Sequence, residues 1–196
     1  MEAHTIQRIG AYIIDVFILS ILVMLLTFWI PTSEKYKKSI EEENKLVDEM
    51  LDSEEIDFDK FYDKYTNIRY TLDKESTITS LISAVLSVGY FATFAYYYNG
   101  QTLGKKLLKI RIVSDDGKEA SHSTLIIRSL FVNSVLSSLI SIILIFFIEY
   151  KQYPYTVGLI SIIQSIFMLL SLIMIITRND KKGLHDVLVK TKVIQD

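Results

Sequence analysis

The sequence has no cysteine, which excludes a disulfide framework, a thiolate metal site and a cysteine nucleophile. It also has no Gly-x-Ser-x-Gly and no His-Glu-x-x-His segment. An enzyme is therefore not expected, and no catalytic residue is assigned. Nor is there an Asp-x-Asp-x-Asp-Gly loop, and neither a metal site nor a cofactor is expected. No small-x-small cleavage site follows Trp29 and Pro31, so the first apolar run reads as a retained span rather than a secretory leader.

What is present is apolar and clustered. Half of the 196 residues are hydrophobic, and they fall in four blocks at about 9–30, 78–98, 124–148 and 156–177. Each block reaches the roughly 20 residues a helix needs to cross a bilayer. The expected fold is an all-α membrane protein. It is a single domain over 1–196 with a four-transmembrane-helix bundle. No broken helix or inverted repeat is evident.

Charge sets the orientation. The segment 32–77 carries eight Lys/Arg against fourteen Asp/Glu. By contrast, Lys105, Lys106, Lys109, Arg111 and Lys118 follow the second block, and Arg178, Lys181, Lys182, Lys190 and Lys192 follow the fourth. Short basic loops stay cytoplasmic, which places both termini inside and the acidic loop outside. Apolar residues at near-helical spacing in that loop (Leu46, Met50 and Leu51, then Phe58, Phe61, Tyr62 and Tyr65) predict one or two extracytoplasmic amphipathic helices. Trp29, Tyr150, Tyr153 and Tyr155 mark the outer interface, and Tyr96, Tyr97 and Tyr98 the inner one. The basic residues hug the membrane and suit anionic lipid at the cytoplasmic face rather than nucleic acid. A pore through so narrow a bundle requires a homo-oligomer or a partner membrane protein.

Small and polar residues recur inside the blocks with offsets of three and seven or four. These are Ser80, Ser83 and Ser87; Ser134, Ser137 and Ser141; Gly158, Ser161 and Ser165; and Arg8, Ala11 and Asp15. Such residues share a helix face and let helices approach closely. A polar path through Asn133 and Gln164 is the sharper alternative. Asp15 lies roughly 10 Å beyond Arg8 on that face. A central aspartate costs about 2.5–3.5 kcal/mol, and the fourteen Leu, Ile, Val and Phe of the span offset this by about 4–8 kcal/mol. Insertion survives Asp15 without explaining it. An intramembrane carboxylate pairs with a cation or titrates, and Arg8 and Arg128 are the candidate partners.

Two basic segments resemble each other, Gly104–Val113 and 183–194. Each reads as a short interfacial helix, capped by Thr102 or Asn179, followed by a strand. The strands Arg111–Val113 and Lys192–Ile194 are expected to pair, with a turn at 114–117. Adjacent residues on a helix point apart, so His185 reads as an interfacial histidine and Asp186 as a cap or partner of a basic residue.

The segments R-I-G-A-Y-I-I-D at 8–15, N-G-Q-T-L-G-K-K-L-L-K-I-R-I-V at 99–113 and G-L-H-D-V-L-V-K-T at 183–191 resemble those of RDD-family membrane proteins. That family is named for one arginine and two aspartates. The resemblance implies that Arg8, Asp15 and Asp186 are those residues, with Arg128 a further arginine of the third span. The long acidic loop is a departure from the simplest members. The resemblance also implies a multi-pass protein of the bacterial cell (plasma) membrane. Its implied role is a small transporter or cation/proton exchanger component using Asp15. The alternative is a non-enzymatic scaffold or accessory subunit, in which Arg8, Asp15, Arg128 and Asp186 form one structural cluster with His185 beside it.

Overall fold

A computed structural model describes residues 1–53 and 57–196. The first apolar block is the helix α1 (Thr5–Thr27). The second is α4 (Thr77–Val88), which runs through a π-helical stretch at Gly89–Phe94 into a last turn, α5 (Ala95–Tyr97). The last is α9 (Tyr153–Thr177). All three are long and apolar enough to span a membrane. Their outward faces stay exposed, as at Phe17, Ile163 and Ile166, because lipid takes the place of a protein core.

The third block corrects the expectation of an unbroken helix. It divides into α7 (His122–Val132) and α8 (Val135–Leu144), bent by 69°. Ser134, between them, has φ +56°, a left-handed conformation that an α-helix cannot carry through. The break frees backbone carbonyls, and Gln164 Nε2 of α9 donates to the Phe131 carbonyl at 2.9 Å. Gln164 thus repairs a helix break, and no continuous polar path is needed to explain it.

The acidic segment folds as an antiparallel helical pair, α2 (Glu34–Asp52) and α3 (Phe58–Glu75). Ser33 and Asp57 cap them, accepting from the Tyr36 and Lys60 amides at 3.0 and 3.2 Å. Leu46, Ile68 and Leu72 meet between them with Tyr36 and Phe61, while Leu51 and Phe58 of the expected stripes stay exposed. The part of the expected stripe region at 54–56 lies outside the described residues. Tyrosines fasten this pair to the bundle. Tyr70 donates to the Ile145 carbonyl at 3.0 Å, Tyr150 to Asp63 at 3.2 Å, and the Tyr70 and Tyr153 rings meet edge to face. Tyr150 and Tyr153 are therefore tertiary pins, whereas Tyr155 remains exposed as a belt residue would.

At the opposite end, which carries both termini, lie two copies of one small unit. The helix α6 (Leu103–Leu107) leads to β1 (Ile110–Ser114), and α10 (Leu184–Leu188) leads to β2 (Thr191–Gln195). In each, a left-handed lysine turns helix into strand: Lys109 at φ +53° and Lys190 at φ +54°. The two segments expected to pair do so, and the structure adds the direction and register: antiparallel, with Arg111 opposite Ile194 and Val113 opposite Lys192. Gly117, at φ +85°, completes the turn after β1 by donating to the Ser114 carbonyl at 2.9 Å. The N-terminal segment joins β2 through Ala3, whose amide donates to the Val193 carbonyl at 3.0 Å. Ile110, Ile112, Val193, Ala3, Ala11 and Leu125 form the core that ties this sheet to α1 and α7.

Candidate functional site

The face of α1 that carries Arg8, Ala11 and Asp15 is the one turned inward, because it meets the small helix α6. Gly104 makes that approach close: a Cβ there would lie 2.8 Å from Asp15 Oδ1 and would strike the Ala11 carbonyl. Asp15 is completely buried. Its Oδ1 accepts from the Gly104 amide at 2.7 Å and from the Tyr90 hydroxyl at 2.7 Å. Its Oδ2 accepts from the Thr102 hydroxyl and faces Lys105 Nζ at 3.4 Å. Lys105 also donates to Thr102 Oγ1 at 3.0 Å. Thr102 occupies the N-cap position of α6, but its hydroxyl serves Asp15 instead of the helix amides.

The second carboxylate sits on α10. Asp186 is completely buried and accepts from Arg8 Nη2, from Arg128 Nη2 at 2.9 Å and Nε at 3.2 Å, and from the Gly183 amide at 3.0 Å. Arg8 Nη1 also donates to the Lys181 carbonyl. Burial pushes the Asp186 carboxyl up, but Arg128 and Arg8 outweigh it and hold the group well below the usual carboxylate range. Gly183, not Asn179, is the N-cap residue of α10, and Asp186 caps back onto its amide.

His185 is buried rather than interfacial. Its Nε2 lies 3.1 Å from Arg128 Nη2 and its Nδ1 lies 2.6 Å from Ser171 Oγ. A guanidinium can only donate, so Nε2 accepts and the proton sits on Nδ1, directed at Ser171. Burial and the nearby Arg128 charge push His185 below its ordinary value, which keeps the ring neutral.

The expected single cluster therefore resolves into two. Arg8, Arg128, His185 and Asp186 come together, whereas Asp15 pairs with neither arginine and takes Lys105 instead. Sequence reading missed Tyr90, Lys105 and Ser171. Lys105 and Thr102 stood within the conspicuous 99–113 segment, but as a surface charge and a helix cap. Tyr90 had no signal, because the π-helical stretch that buries the consecutive residues Tyr90, Phe91 and Ala92 is invisible to a 3.6-residue pattern.

The two sites flank a lateral cleft of about 560 Å³ between α1 on one side and α7 and α9 on the other. Arg8, Lys105, Arg128 and His185 reach its inner end, and Ile9, Leu169 and Leu172 are among its apolar walls. Ser165 of α9 and Asn133 also face it, so Ser165 borders a gap instead of a helix seam.

The profile of the RDD family matches residues 3–190. No curated protein matches the chain. No solved structure matches it.

Proposed function

The chain belongs to the RDD family of membrane proteins, and from that premise we propose that it is a small transporter component exchanging protons for a monovalent cation at Asp15. The observation that carries this reading is the choice of counter-charge. Asp186 is bound by two arginines through several charge-assisted hydrogen bonds, so that carboxylate is a lock. Asp15 is bound by a lysine, the one cation of the group that can give up its proton. Burial pushes Lys105 down to about 8, against the opposing pull of Asp15.

The chemistry follows from the contacts. Lys105 Nζ rests on two oxygens, Asp15 Oδ2 and Thr102 Oγ1. When the ammonium loses its proton, the pair is left with one negative charge. A small hard cation restores neutrality by taking the amine's place against those oxygens. Reprotonation of Lys105 expels it. One proton thus exchanges for one monovalent cation, with Tyr90 and the Gly104 amide holding the carboxylate in place throughout.

Purified protein in liposomes tests the reading by sodium-driven or potassium-driven proton movement, followed with an internal pH dye. Flux in wild type that vanishes in Lys105→Met supports exchange. A well-folded wild type without flux for either ion defeats it and leaves the scaffold reading, which the full hydrogen-bonding of both carboxylates favours.

A further inference from the structure

We propose that the lateral cleft is a binding site for one anionic phospholipid, its phosphate at Arg128 and an acyl chain along α9. This inference does not rest on the exchange reading. Three observations carry it.

The first is the distribution of charge. Arg8, Lys105 and Arg128 line the inner end of the cleft, while Asp15 and Asp186 lie behind them and do not line it. With three cations against two carboxylates, the buried group carries one surplus positive charge, and its positive side faces the gap. The second is an unused donor. Arg128 is nine-tenths buried, and its Nε and Nη2 are taken by Asp186 and His185. Its Nη1 has no hydrogen-bond partner among the described residues, on a side chain that borders the cleft. A phosphate oxygen is the natural acceptor for a free guanidinium nitrogen. The third is the wall. Beside these charges the lining includes Ile9, Leu169 and Leu172, all of them also exposed on the protein surface. An acyl chain can therefore enter from the bilayer without crossing a polar barrier, and a free anion would leave that wall unfilled.

The test uses Trp29→Phe/Leu169→Trp, which moves the single tryptophan to the exposed cleft wall. The full-length variant is placed in phosphatidylcholine vesicles containing either brominated phosphatidylglycerol or brominated phosphatidylcholine. Quenching that favours the anionic lipid about fivefold in apparent affinity, the preference one basic side chain supplies, is the expected result. Adding Arg128→Gln removes the preference. If that variant does not fold, Ile9→Trp in wild type fills the mouth of the cleft and lowers phosphatidylglycerol retention in native mass spectrometry. Equal quenching by the two lipids overturns the proposal, since any exposed helix face would give it. Displacement of the anionic lipid by inorganic phosphate alone also overturns it, because the site would then be one for a free anion.

Discussion

Arg8 and Asp15 share one face of α1 and do not pair: Arg8 reaches Asp186 of α10, and Asp15 reaches Lys105 of α6. Two opposite charges on one helix thus fasten two different small helices, each of which leads into one strand of the β1–β2 sheet. Neither pairing closes within α1, so the first helix is held only as well as both are.

Removing one member of a buried pair leaves the other uncompensated, at a cost of about 3–5 kcal/mol. Asp15→Asn is therefore expected to lower the yield of monodisperse protein in detergent, read by size-exclusion chromatography. Asp15→Asn/Lys105→Met removes both charges and recovers folded protein, but without cation-coupled proton flux. If the double variant is no better folded than the single one, Lys105 is not the partner that matters.

Gly104→Ala places a methyl group against the Asp15 carboxylate and the Ala11 carbonyl. Overpacking of this kind costs about 1–3 kcal/mol. The same change at Gly158, inside α9, where an added Cβ meets nothing within 4 Å, should leave stability unchanged or raise it. Comparing the two thermal midpoints in one detergent checks the close approach directly.

Lys105 holds its proton less tightly in the fold, at about 8, than in the unfolded chain at 10.5. Between those values the unfolded state binds more protons, so stability rises as pH increases through the window. Wild type is expected to gain thermal stability from pH 8 toward 10.5 relative to Lys105→Met. An unchanged difference between the two across that range would show that Lys105 is not buried as described.

The absence of cysteine gives a clean background for single-cysteine labelling. Lys37 lies on α2 and Lys118 follows β1, both with exposed side chains, at opposite ends of the bundle. An impermeant maleimide added to intact cells should label Lys37→Cys and spare Lys118→Cys. The reverse pattern would invert the orientation read from loop charge.

Three of the spans, the helical acidic loop and the pairing of the two short strands were legible because each follows from a short-range rule of hydropathy, spacing or alternation. Even the likeness of the two basic segments became a shared form, with Lys109 and Lys190 as matching turns. The break at Ser134 was not legible, since serine in an apolar run signals packing as readily as a bend. The partner of Asp15 was missed for a different reason. Lys105 sits in a basic cluster that predicts orientation, and nothing local distinguishes the one lysine that turns inward from its neighbour Lys106.

The ion pairs of α1 also impose an order on assembly. Asp15 finds Lys105 90 residues downstream, and Arg8 finds Asp186 178 residues downstream. At about 5–20 residues per second, Arg8 waits roughly 9–36 s of translation for its carboxylate. Asp15 is answered about halfway through that interval, while Arg8 stays without its carboxylate to the end of it. The helix α1 is thus fully secured only once α10 has been made. A ribosomal pause between 128 and 186 would lengthen the most vulnerable stage of its biogenesis.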